Sequence, residues 1–175
     1  MMELIVGLLG ALIGGGASVT TVIMTNRKAA GMKQDDYRRE ELDRISDAIA
    51  AARKSITRIN TEINRLHEIG RRARAGEEKS GLVERISTQS INQDRIDAEV
   101  ALVKIAHLVP HPEIRRAAGS TNAAISHALH GMSELMGDPC SDDLHSNAVE
   151  MVISASNGCN RLQAEAINIY YPKSK

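Results

Sequence analysis

Apolar residues at alternating intervals of three and four run from residue 42 to residue 66. Because an α-helix has about 3.6 residues per turn, positions with this spacing line one face of a helix. The pattern predicts a helix over about 38–75. Small and hydroxyl side chains flank this seam in place of opposed charges, which favours a bundle of several helices over a two-stranded coiled coil. The seam consists of Leu42, Ile45, Ile49, Ala52, Ile56, Ile59, Ile63 and Leu66.

Proline and glycine divide the rest of the chain into three further predicted helices. Pro110 and Pro112 separate the first of these from the second, and Gly137 with Pro139 separates the second from the third. Proline lacks an amide hydrogen and pushes the preceding residue out of the helical region, so each break is expected from local chemistry. The three helices are predicted over about 82–109, 112–136 and 142–170.

The core of such a fold must be aliphatic, because the chain contains no Trp, no Phe and only three Tyr. On the helix predicted over 82–109, the apolar face is assigned to Ile86, Ile96, Val100 and Val103. No alternating apolar runs with hairpin turns occur, so no sheet is predicted.

The resulting fold class is all-α. Helices of similar length joined by short connections pack as antiparallel neighbours, so residues 38–171 are predicted to form a long-helix antiparallel four-helix bundle or a coiled-coil-like domain. We expect a transmembrane helix over 1–26 and a juxtamembrane linker over 27–37 before this bundle, and a tail of 172–175 after it. The first bundle helix either runs directly into the span or is separated from it by a hinge near Gly31.

The transmembrane prediction rests on residues 4–26, which contain no charged side chain over 23 positions. At 1.5 Å per residue this is roughly 34 Å of helix, against a hydrocarbon core of about 30 Å. A secretory signal would begin with basic residues, whereas here Arg27, Lys28 and Lys33 follow the apolar run. By the positive-inside rule we expect the N-terminus outside and the bundle in the cytoplasm, at the cell membrane.

Glycine occupies five of the twelve positions in the segment GLLGALIGGGAS. Small residues in two adjacent rows let another helix approach closely, so the span could act either as an association face or as a simple anchor. The two rows are Gly10, Gly14 and Ser18, and Gly7, Ala11 and Gly15.

Charge and motifs restrict the chemistry. Acidic and basic residues are equal in number, 22 of each, and no basic stripe or stacking aromatic cluster suggests nucleic-acid binding. No phosphate-binding glycine loop or nucleophile elbow is present, so we expect no enzymatic activity and no cofactor.

Metal binding is not predicted either, because the histidines lack the spacing of a known ligand set. Two groupings nevertheless contain several side chains that can bind metals. The first is His127, His130 and Glu134 on one helix flank, and the second is His107, His111, Cys140 and His145 near helix ends. Cys140 and Cys159 are expected to be unpaired thiols.

The densest basic cluster is Arg71, Arg72 and Arg74, a candidate contact for an acidic partner. The expected function is that of a single-pass membrane scaffold, which presents its bundle to an as yet unidentified protein partner and self-associates through the glycine-rich span. The alternative is a pore-forming or membrane-disrupting oligomer that the bundle regulates. A bundle that senses a metal or ligand is a third reading.

Overall fold

A computed structural model describes the backbone of residues 2–76 and 88–171, and the side chains of residues 35–76 and 91–171. The described residues form helices and no strand, which confirms the all-α prediction for this part of the chain. Within residues 2–76 and 88–171 the helices are α1 (Met2–Arg74), α2 (Thr88–Leu108), α3 (Pro112–Gly137) and α4 (Asp142–Tyr170).

The helix bounds agree with the sequence prediction at α3 and α4 and differ at α1. Residues 27–37, which the sequence pattern assigned to a linker, are helical and belong to α1. The predicted first turns of the second helix, 82–87, and the tail, 172–175, lie outside the described residues. The chain divides into two compact units, Met1–Glu40 and Glu41–Lys175.

Local chemistry explains where α3 and α4 begin. Pro112 is the first residue of α3, where its missing amide hydrogen costs nothing, and His111 before it is extended. The hydroxyl of Ser141 accepts a hydrogen bond from the amide of Leu144 at 3.2 Å and caps α4.

Neighbouring helices in the unit Glu41–Lys175 run antiparallel. At one end Arg74 of α1 donates two hydrogen bonds to Asp142 of α4, at 2.8 and 3.0 Å. At the other end the Tyr170 hydroxyl of α4 donates to the Glu41 carboxylate of α1 at 2.6 Å. Helices α2 and α3 also pack on each other, as do α3 and α4.

The α3–α4 contact depends on small residues. A Cβ placed on Gly158 would lie 2.9 Å from Thr121 Oγ1 and 3.2 Å from Thr121 Cα. A Cβ on Gly131 would lie 2.8 Å from Met151 Sδ and 3.2 Å from Ala148 Cα. Since these distances are below ordinary van der Waals contact, glycine sets how closely the two helices approach.

The core is aliphatic, as the composition predicted. Its largest fully buried apolar side chains are Ile45, Ile59, Ile63, Leu66, Ile91, Leu102, Ile105, Ile114, Ile125, Leu135 and Leu162.

The predicted core face of the second helix was wrong. Ile96, Val100 and Val103 are exposed, and α2 instead packs inward through Ile91, Ala98, Leu102, Ile105 and Val109. Ile86 lies outside the described residues. Both faces of α2 have helical apolar spacing, so local periodicity alone could not choose between them.

Among the residues whose side chains are described, no helical stretch combines the length and apolarity needed to cross a membrane. The predicted span, 4–26, its small-residue face (Gly7, Gly10, Ala11, Gly14, Gly15 and Ser18) and the basic residues Arg27, Lys28 and Lys33 all lie outside that part of the chain. These assignments stay predictions.

Candidate interaction surface

Three apolar side chains form an exposed row on α2, which we call the α2 strip. Ile96, Val100 and Val103 have 43, 48 and 41% of their surface exposed. Their spacing of four and three residues places them on one helix face, opposite the face that packs in the core. Single exposed apolar residues are ordinary on protein surfaces, but a row at heptad spacing is typical of a helix-binding face.

An ion-pair cluster helps to hold α2 against α1. The Asp94 carboxylate, 6% exposed, lies 2.8 Å from Lys54 Nζ and 3.5 Å from Arg58 Nε, both on α1. The hydrogen bond from Lys54 holds the pKa of Asp94 below its usual value, against the opposing effect of burial. The ion pairs hold the Asp94 face of α2 against α1. Because the strip lies on the opposite face of the same helix, it points outward.

Charged and polar side chains flank the strip. Arg95 donates to Glu99 at 2.7 Å, and the Gln93 amide donates to Asp97 at 2.8 Å, each one turn along the helix. Lys104 is exposed on the side of the strip that faces α1. The strip is therefore an apolar centre with a charged border, an arrangement common in protein interfaces.

A groove of about 560 Å³ between α1 and α2 continues this surface. Val100 and Leu108 contribute apolar walls, while Arg44 and Asp47 of α1 lie along the opposite side. Because Val100 belongs to both features, strip and groove form one continuous surface.

The structure places the predicted basic cluster Arg71, Arg72 and Arg74 beside carboxylates of the same chain. Arg71 and Arg72 donate to Glu68 at 2.8 and 3.0 Å, and these hydrogen bonds lower the pKa of Glu68 to about 2. Arg74 binds Asp142. An acidic partner would compete with these internal pairs, and the predicted contact stays a prediction.

Two histidines that the sequence analysis did not connect stack at the end of the bundle. The rings of His67 and His145 lie 3.8 Å apart between centroids, with an interplanar angle of 16°. Burial, followed by the nearby His67, lowers the pKa of His145. Asp142 is 3.6 Å from His67 Nε2. The two histidines are 78 positions apart in the chain, so no local sequence signal indicated this pairing.

The two histidine groupings examined in the sequence do not assemble into a ligand set. His111 packs edge-on against Tyr170 at one end of the bundle, whereas Cys140 contacts the Gly70 carbonyl at the other. On α3, His130 pairs with Glu134 at 3.5 Å. Within the described side chains, no three His, Cys, Asp or Glu residues are grouped as metal ligands.

The two cysteines are free thiols, as predicted. Cys159 is buried, and burial raises the pKa of its thiol. Cys140 is half-buried, and its Sγ lies 3.6 Å from the Gly70 carbonyl oxygen.

Comparison of the chain with protein-family models, with curated proteins and with solved structures finds no match.

Proposed function

We propose that this chain is a single-pass membrane scaffold that displays a cytoplasmic helical bundle and binds a protein partner through the α2 strip. The binding role depends on one observation, the exposure of Ile96, Val100 and Val103 in one row. Fully burying an aliphatic side chain contributes about 1.5–3 kcal/mol. Burying the exposed halves of these three side chains against a partner would therefore contribute roughly 3 kcal/mol to binding.

The partner that fits this surface is another α-helix with an apolar face. A helix in a groove is recognised through side chains at positions i, i+4 and i+7, which is the spacing of Ile96, Val100 and Val103. The charged border at Asp97, Glu99 and Lys104 would select among such helices, because mismatched charges oppose binding.

The proposed anchor is residues 4–26. Ten Leu, Ile and Val residues in this segment contribute about −0.3 to −0.6 kcal/mol each to insertion. The total, roughly −3 to −6 kcal/mol, is favourable but modest, since the glycines and threonines dilute it. Anchoring would keep the bundle at the bilayer, where its effective concentration for a membrane-bound partner is high.

The glycine rows of the span support a further proposal, that chains associate within the bilayer. Replacing Gly10 and Gly14 with Ile would block close helix approach and should reduce oligomer formation in a membrane two-hybrid assay. Unchanged association would remove this role. The pore-forming alternative predicts dye leakage from liposomes that contain the full chain, and intact liposomes at high protein load would contradict it.

The strip is tested by crosslinking in native membranes. Val100→Asp places a charge at the centre of the strip and should reduce crosslinking of the full chain to protein partners by tenfold or more. Ile153→Asp is the matched control, because Ile153 is 54% exposed on α4 and lies outside the strip. An equal loss of crosslinking in both variants, or no loss in either variant, would refute a binding role for the strip.

Anchoring and topology are tested separately on the same membranes. The wild-type chain should resist alkaline carbonate extraction, and release into the supernatant would refute the anchor. In the Cys140→Ser background, Ile153→Cys should react with an impermeant maleimide only after the cells are opened. Labelling in intact cells would contradict the cytoplasmic placement.

A further inference from the structure

We infer that the helix bound by the α2 strip is the α2 strip of a second copy of this chain, in parallel orientation about a two-fold axis. The inference rests on the proposed function, because it assumes that the strip is a binding surface and that both copies are anchored in one membrane. It names the partner that the proposed function leaves open.

The strip has the register of a coiled-coil seam. If Val100 occupies an a position, Ile96 and Val103 occupy d positions, and Gln93 and His107 are the a positions at either end. Gln93 and His107 are both exposed. The apolar seam is therefore short and bounded by polar residues, which restricts the ways in which two helices can be aligned along it.

Charges at the border of the strip match a second copy of the same helix. In this register Glu99 is at a g position and Lys104 is at the e position five residues later. In a parallel pair a g side chain faces the e side chain of the following heptad on the other helix. Two-fold symmetry then produces two equivalent Glu99–Lys104 pairs from one surface, as an isologous interface requires.

Both side chains are accessible for this contact. The Glu99 side chain is 44% exposed, and although it accepts from Arg95 at 2.7 Å, a carboxylate has further acceptor sites. Lys104 is exposed. Neither side chain would have to leave the core to reach a second copy.

Membrane anchoring selects the parallel orientation. A two-fold axis along the helices places Glu41, the first residue of the bundle unit, at the same end of both copies. An antiparallel pair would place the two Glu41 residues at opposite ends. Two chains inserted in one bilayer are compatible with the parallel pair, in which both Glu41 residues lie at the same end.

The size of the strip indicates that this pairing depends on the membrane. Three half-exposed side chains per copy cover a small part of the roughly 1,600 Å² that a standard stable interface buries. Confinement to a bilayer raises the effective concentration of one strip for another. The same contact is expected to be weak in dilute solution.

Disulfide crosslinking of the full chain in native membranes tests the inference. With copper–phenanthroline and oxygen added as the oxidant, Ile96→Cys should form a disulfide-linked dimer at least fivefold more efficiently than Ile153→Cys, because equivalent d positions face each other in a parallel pair. Wild-type membranes measure the background from Cys140 and Cys159. Equal dimer yield from the two variants would overturn the inference.

Charge reversal provides an independent measurement in the Ile96→Cys background. Lys104→Glu should reduce the dimer yield at least threefold, and Glu99→Lys combined with Lys104→Glu should restore it to within twofold. Failure of the double variant to restore the yield, while its thermal unfolding is unchanged, would overturn the Glu99–Lys104 pairing.

The outcomes separate this inference from the proposed function. If the strip crosslinks to a different protein and not to a second copy, the proposed binding role stands and the self-pairing is refuted. If the copies crosslink but carbonate releases the protein, the membrane anchor is refuted. A chain that crosslinks to nothing through the strip contradicts both roles of the strip.

Discussion

Replacing Gly70 with alanine should destabilise the bundle, whereas the same substitution at Gly119 should stabilise it. Both glycines lie inside helices, in α1 and α3, and neither has a positive φ. In a helix interior alanine is favoured over glycine by about 0.8–1 kcal/mol. A Cβ on Gly119 would meet no atom within 4 Å, so this gain should appear in full.

At Gly70 the tertiary structure makes the same substitution, glycine to alanine, destabilising. A Cβ there would overlap the carbonyl oxygen of Pro139 and lie 3.1 Å from the amide nitrogen of Cys140. These are backbone atoms of the turn between α3 and α4, so no rotamer change can relieve the overlap. Overpacking costs about 1–3 kcal/mol. We take the upper end, which leaves a net loss of about 2 kcal/mol after the gain in helix propensity.

Thermal unfolding of the full chain in detergent, followed by circular dichroism at 222 nm, measures both effects. For a chain of this size 1 kcal/mol corresponds to roughly 3 °C in Tm. We expect Gly119→Ala to raise the Tm by about 3 °C and Gly70→Ala to lower it by about 6 °C. An equal rise in both variants would refute the close contact between α1 and the α3–α4 turn.

Three further measurements examine the ion-pair cluster, the face assignment of α2 and the two thiols. The pKa of Asp94 is lower in the folded than in the unfolded protein, so the stability that its ion pairs contribute is complete above the unfolded pKa of about 4 and is lost as the pH falls through the folded pKa. Asp94→Asn should therefore flatten the fall in Tm over this acidic range. An unchanged dependence of Tm on pH would contradict a stabilising role for the Asp94 ion pairs. Leu102→Ala should lower the free energy of unfolding by about 2–5 kcal/mol, whereas Val103→Ala, at the neighbouring exposed position, should change it by less than about 0.5 kcal/mol. Similar losses at both positions would contradict the assignment of the buried face of α2. Cys140 should react with a maleimide in the native protein. Cys159 is buried and its thiol has a raised pKa, so it should react only when the protein unfolds. Equal reaction rates of the two thiols in the native protein would show that Cys159 is accessible.

The ends of α3 and α4 could be predicted because local chemistry sets them. Pro112 can begin a helix but cannot continue one, and Ser141 supplies the oxygen that caps α4. The seam from residue 42 to residue 66 likewise identified the buried face of α1, since its period is that of a helix. Local propensity near Gly31 left open whether the first helix continues through 27–37 or a hinge interrupts it, and α1 is helical through this segment.

The candidate surface depends on contacts that are distant in the sequence. Asp94 appears out of place among the apolar positions of α2 until Lys54 and Arg58 are brought beside it from α1. That pairing makes the Asp94 face the inner one, so Val100 and its neighbours point outward. A hydrophobicity pattern contains no information about a partner that lies 36 or more residues away.

The sequence by itself determined the all-α class, the aliphatic core and the ends of α3 and α4, because helix period, side-chain volume and capping act within a few residues. Only the tertiary structure decided which face of α2 is buried and at which glycine an added Cβ would overlap other backbone atoms. Those outcomes depend on which helix packs against which, and at Gly70 on the backbone of Pro139 and Cys140, about 70 residues further along the chain.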